Sequence, residues 1–139
     1  MNGTILLIQG QPLYRELFSE ILEKHDFKVI TAGHGLEALA RLREWNIDLV
    51  VTDIVLPGMD GFEFLRRLRR GHALLPVMIL TEVRDKESVI HAGALGVRDY
   101  IIKENFSEER LMARARALIA AAMAKGGAAP VRRITVESQ

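Results

Sequence analysis

The sequence predicts an open, doubly wound α/β fold, a parallel sheet of about five strands with about five helices on its two faces. Short apolar runs of strand length alternate with amphipathic stretches of helical period, and strands alternating with helices pair in parallel through right-handed crossovers. The strand centres, such as Leu6-Leu7 and Val50-Val51, are apolar without interruption, as expected where both sheet faces are covered. A chain of 139 residues, 49% hydrophobic and 27% charged, suits one globular domain.

Thr4 to Ile8 is the first strand, and Gln9-Gly10-Gln11-Pro12 breaks it. Pro12 suits the first turn of a helix, whose apolar positions Tyr14, Leu17, Phe18, Ile21 and Leu22 recur at helical spacing. Lys28 to Thr31 reads as a second strand, and Leu36, Leu39 and Ala40 mark a helix ending near Trp45. Asp48 to Thr52 is the third strand. Leu56-Pro57-Gly58 is a loop, and Phe62, Leu65 and Leu68 lie on a third helix that Gly71 stops. Pro76 to Leu80 is the fourth strand, and Asp85 caps a short helix reaching Ala92. Tyr100-Ile101-Ile102 centres the fifth. Ser107 is a good N-cap for the last helix, and Glu108 and Glu109 suit its dipole.

Residues 1–124 are therefore read as one domain and 125–139 as a linker or flexible tail. Within that tail, Val131 to Val136 suits a tail strand or the first residues of a further domain.

Net charge is +1, so charge gives no general attraction to nucleic acid or membrane. Cysteine is absent, which removes disulfides and thiolate chemistry. Met1 to Ile8 lacks the basic start and length of a signal peptide, and Arg114 and Arg116 interrupt the longest apolar stretch, Leu111 to Ala124. A cytoplasmic protein is expected. No G-x-x-x-x-G-K-[ST] or G-x-G-x-x-G segment is present and no serine, histidine and acid arrangement stands out, so a small enzyme or a nucleotide-binding domain is disfavoured.

Ligands of doubly wound sheets bind beyond the carboxyl ends of the strands, so the informative loops begin at Gln9, Asp53, Thr81 and Lys103. Asp53 stands where a buried strand opens to solvent, ahead of a turn-rich loop. Read alone, it is either a functional carboxylate or a strand terminator bonding loop amides.

The run Val50-Val51-Thr52-Asp53-Ile54-Val55-Leu56-Pro57-Gly58-Met59-Asp60-Gly61 resembles the phosphoacceptor segment of response-regulator receivers. Ala32 to Leu39 resembles the start of that family's second helix, Leu80-Thr81 its hydroxyl position, and Ala92-Gly93-Ala94 through Asp99-Tyr100-Ile101-Ile102-Lys103 the approach to its lysine. Together they cover nearly all of residues 4–124 and imply the flavodoxin-like strand order 2-1-3-4-5. The resemblance implies a role in two-component phosphorelay signalling rather than enzymatic turnover. Asp53 would accept a phosphoryl group from a phosphohistidine, Thr81 and Lys103 would bind phosphate oxygens, and Tyr100 would turn inward with Thr81. On the bland reading Thr81 is a local cap, Lys103 an ordinary surface lysine and Tyr100 plain surface packing. The implied partners are a histidine kinase or phosphotransfer protein and a downstream protein, with neither nucleic acid nor membrane. A homodimer through the last two strands and helices also fits the family.

Two departures stand out. Receivers carry adjacent acids after the first strand, where this chain has Gln9 and Gly10. Magnesium favours oxygen ligands that include carboxylates. Asp53 and the backbone carbonyl of Val55 remain as weak candidate ligands, so Mg²⁺ is expected to be weak or absent. Asp53 and Lys103 cancel in charge, which leaves a divalent ion little to neutralise. Slow phosphorylation, or none, is the consequence; a phosphorylation-independent pseudo-receiver that acts by protein docking is the alternative. The second departure is Glu104, where receivers commonly have proline. A trans Lys103–Glu104 bond is expected, because a non-proline cis bond costs about 3 kcal/mol. An exposed Glu104 is expected, with competition for Lys103 as the alternative. Arg66, Arg67, Arg69 and Arg70 read as a solvated helix face, with a docking patch for an acidic partner as the alternative. His34, His72 and His91 receive no role.

Overall fold

A computed structural model describes residues 2–124 and 135–137. Five strands, β1 (Thr4–Ile8), β2 (Lys28–Ala32), β3 (Leu49–Thr52), β4 (Val77–Thr81) and β5 (Asp99–Ile102), alternate with five helices. The helices are α1 (Pro12–Lys24), α2 (Gly35–Glu44), α3 (Gly61–Gly71), α4 (Lys86–Ala94) and α5 (Glu108–Ala124), and a 3₁₀ turn spans Lys103–Asn105. Every pairing is parallel, in the order β2-β1-β3-β4-β5. The sequence-derived fold class and strand order hold.

A sixth strand, β6 (Thr135–Glu137), pairs in parallel with β5 at Asp99–Ile101. The linker or flexible tail expected over 125–139 otherwise lies outside the described residues, and of the three strand residues Thr135 and Val136 fall where a tail strand was the alternative, Glu137 just beyond it.

Alternate side chains of each apolar strand feed two cores. Leu6, Ile8, Val50 and Ile79 meet Ala38, Phe64, Leu65, Leu68 and Ala92 of α2, α3 and α4 on one face. Ile5, Leu7, Val51 and Met78 meet Phe18, Leu22, Leu111 and Ala115 of α1 and α5 on the other. The two-core arrangement explains the unbroken apolar runs. The strand order reverses between β1 and β3, so their carboxyl ends flank the ligand crevice of this architecture.

Side-chain caps fix the starts of several helices. Asp85 caps α4, accepting from the Ser88 amide at 3.0 Å, and Ser107 accepts from the Arg110 amide at 3.3 Å. Asp60 caps α3, accepting from the amides of Phe62 and Glu63. Two expectations need correction. His34, given no role from sequence, caps α2 by accepting from the Glu37 amide through Nδ1. Arg69 does not belong to a solvated face: its guanidinium is half-buried and donates to the carbonyls of Leu95, Gly96, His72 and Leu75. It ties the end of α3 to the turn before β5, and burial lowers its pKa, with Arg98 adding to the effect. Arg66 and Arg67 do lie outward, both paired with Glu63.

Candidate functional site

The carboxyl ends of β1, β3, β4 and β5 bring Gln9, Asp53, Thr81 and Lys103 to one rim of the sheet. Asp53 is buried. Its Oδ1 accepts from the amides of Ile54 at 2.6 Å and Val55 at 3.1 Å, and from the Thr81 hydroxyl at 2.5 Å. Its Oδ2 accepts from Lys103 Nζ at 2.8 Å, and both side chains of this ion pair are nearly enclosed (5% and 9% exposed). Lys103 is therefore no ordinary surface lysine, and Thr81 does more than cap: its Oγ1 also accepts from the Val83 amide at 3.3 Å. Asp53 bonds loop amides as a strand terminator would, and engages Thr81 and Lys103 as well.

The loop after Asp53 is shaped by Gly61. A Cβ there would lie 2.5 Å from Ile54 Cα and 2.7 Å from the Asp53 carbonyl oxygen, and the Gly61 amide donates to the Ile54 carbonyl at 2.7 Å. Only glycine lets α3 begin so close beneath the Asp53 backbone.

Tyr100 is fully buried among the α3 and α4 side chains and donates to the Val83 carbonyl at 2.7 Å. Plain surface packing is thus excluded for it. Burial is the main cause that raises its phenol pKa, with Asp85 and Asp53 contributing.

Gln9 is fully buried; its Nε2 donates to the Leu80 carbonyl at 3.2 Å, while Oε1 is buried without a hydrogen-bond partner. A Cβ at Gly10 would lie 2.9 Å from Pro57 Cδ and 3.7 Å from the Val55 carbonyl oxygen. The proline ring therefore crowds the space through which a side chain at position 10 would approach that carbonyl. Among the described residues, no three His, Cys, Asp or Glu side chains gather as a metal-binding group. Glu104 is exposed and pairs with Arg84 rather than Lys103, and no cis peptide bond occurs among the described residues.

Two site residues escaped the sequence reading. Glu82 lines the cleft above Asp53 together with Gly10, Val55 and Pro57. Tyr14 reaches across from α1: its hydroxyl donates to Glu82 Oε2 at 3.2 Å, and Lys103 Nζ lies 4.0 Å from its ring centroid. Helical spacing placed Tyr14 on a core face, and its ring does stack on Phe18. Glu82 was legible only as the residue after Thr81, hence at the same strand end.

A buried carboxylate at the third strand end, joined by a hydroxyl from the fourth and an ammonium beyond the fifth, accompanies a match of residues 5–116 to the response regulator receiver domain. The chain belongs to that family. Among curated relatives of this receiver, the transcriptional regulatory protein AfsQ1 of Streptomyces coelicolor is 38% identical over 100 residues, which span 72% of this chain and 44% of that protein. The alkaline phosphatase synthesis transcriptional regulatory protein PhoP of Bacillus subtilis is 33% identical over 119 residues, 86% of this chain and 49% of that protein. The receiver thus spans about half the length of the curated relatives it matches. Among solved structures, chemotaxis protein CheY4 of Vibrio cholerae superposes with a TM-score of 0.78 at 26% identity, covering 84% of this chain and 98% of that one. The receiver domain of Francisella response regulator 1452 gives 0.78 at 27% identity, covering 85% and 97%.

Proposed function

We propose that this receiver serves two-component signalling with Asp53 as its phosphoacceptor and with a magnesium site too poor in ligands to support fast transfer. The observation that carries the reading is the enclosed Asp53–Lys103 pair at 2.8 Å with Thr81 on the other carboxylate oxygen. Oδ2 has fewer donors than Oδ1, so its free lone pair is the available nucleophile. It attacks the phosphorus of a phosphohistidine; the P–O bond forms, the P–N bond breaks, and its electron pair leaves with the imidazole, which takes up a proton. Lys103 and Thr81 then bind the phosphoryl oxygens. A histidine kinase or phosphotransfer protein is the donor, and a further protein reads the result.

Magnesium does not fit the residues present. The ion wants about six hard oxygens in near-octahedral array. This pocket offers Asp53, with one oxygen filled by three donors and the other paired with Lys103, and the Val55 carbonyl; a neutral glutamine and a glycine stand where the family has acids, and Glu82 at the rim is held by Tyr14. Phosphoryl transfer depends on positioning and on charge stabilisation, so transfer here is slow.

A second reading has its own support. Thr81 already holds Asp53 and Tyr100 is already inward, the arrangement that the family resemblance associates with the signalling state. On that reading the receiver docks its partner without phosphate. Incubation with acetyl phosphate and Mg²⁺, followed by intact mass, separates the two. A slow gain of one phosphoryl group, absent in Asp53→Asn, supports the first reading; no gain over prolonged incubation overturns it in favour of the second.

A further inference from the structure

The cleft over Asp53 has a volume of about 350 Å³ and is lined in part by Gln11, Val55, Pro57 and Glu82. Asp53, which lines it, is balanced by the Lys103 ammonium 2.8 Å away, but Glu82 adds a negative charge at its rim. Tyr14 contacts both signs: its hydroxyl holds Glu82 and its ring faces the Lys103 ammonium. A cation over a tyrosine face is attracted to the ring quadrupole. The contact biases Lys103 toward its inward position, 2.8 Å from Asp53. The Tyr14 phenol has a raised pKa, caused first by the Glu82 charge and then by the hydrogen bond to it.

We propose that Glu82 is an electrostatic gate that disfavours entry of anionic donors to Asp53, with Tyr14 as the positioning residue that holds it at the rim. The inference rests on the reading of Asp53 as acceptor only for its consequence, donor selectivity; the gate itself acts on any entering anion. A single-sign rim charge over a low-dielectric cleft alters the local concentration and on-rate of charged ligands, and salt weakens the effect.

The test uses Glu82→Gln and Tyr14→Phe in the full chain, and labels Lys103 with two amine reagents, anionic trinitrobenzenesulfonate and neutral acetic anhydride. Peptide mass mapping gives the rate at Lys103 for each, and their ratio cancels any change in the amine's own basicity. Glu82→Gln raises the anionic-to-neutral ratio by about threefold or more at low ionic strength, and the gain shrinks as salt is added. Tyr14→Phe keeps the ring but loses the anchoring hydroxyl, and gives a smaller rise. A ratio unchanged by Glu82→Gln overturns the gate.

Parallel phosphorylation with acetyl phosphate tests the consequence, with Glu82→Gln gaining the phosphoryl group faster than wild type. If the labelling ratio moves while no variant is phosphorylated, the gate stands and the acceptor reading falls. If phosphorylation proceeds at one rate in all variants with an unmoved ratio, the gate falls alone.

Discussion

Replacing Asp53 with alanine tests whether the pocket is a self-balanced ion pair. In a site crowded with carboxylates, deleting one relieves repulsion. Here the deletion strands Lys103, whose side chain is 5% exposed and whose ionic partner is Asp53. Removing one member of a buried pair costs about 3–5 kcal/mol. The amides of Ile54 and Val55 and the Thr81 hydroxyl also lose their acceptor, although the cleft admits water to some of them, which favours the lower part of that range. With urea m-values of about 1–3 kcal/mol/M, the denaturation midpoint falls by roughly 2 M. Lys103→Met costs less, because Asp53 keeps three donors. The double variant recovers about 2 kcal/mol relative to additivity, within the usual range for contacting residues. Urea melts of the four proteins at neutral pH read this cycle. An Asp53→Ala protein as stable as wild type, or more so, refutes the reasoning.

Gly61→Ala forces a Cβ to within 2.5 Å of Ile54 Cα and costs about 3 kcal/mol in a urea melt, whereas Gly71→Ala, with open space around it, changes stability by less than about 1 kcal/mol; equal effects would contradict the close approach. Arg69→Met leaves the Leu95, Gly96, His72 and Leu75 carbonyls without this donor and costs about 2–4 kcal/mol by the same measurement; a neutral result would show that water replaces the guanidinium. The chain has two tyrosines, and both phenols have raised pKa values. Absorbance titration therefore finds no phenol ionising in the ordinary range of the native state, and Glu82→Gln brings one of them down. Because the neutral form is favoured on folding, this contribution to stability is present below the unfolded tyrosine pKa and is lost as pH rises through the higher folded values. A native phenol titrating normally would contradict the Tyr14–Glu82 or Tyr100 geometry.

The unbroken apolar runs made the sheet legible, because a strand covered on both faces needs no polar alternation. Asp53, Thr81 and Lys103 were legible for a topological reason: parallel strands end together, so residues closing β3, β4 and β5 share one rim. Side-chain reach across the fold was not legible. Tyr14 and Glu82 are 68 positions apart, and the helical period that placed Tyr14 inward gave no hint of its hydroxyl's partner. Arg69 looked like its arginine neighbours, because the carbonyls it binds belong to turns whose positions only the packed α3, β4 and β5 define. The His34 and Asp60 caps were missed although both directly precede helical segments, where short polar acceptors are favoured.

Magnesium binding is the most direct measurement. Calorimetric titration of the wild type and Asp53→Asn at physiological ionic strength should give no saturable, Asp53-dependent uptake in the concentration range of cellular magnesium. Saturation of the wild type in that range, lost in Asp53→Asn, would contradict the account and restore a conventional metal-assisted acceptor site.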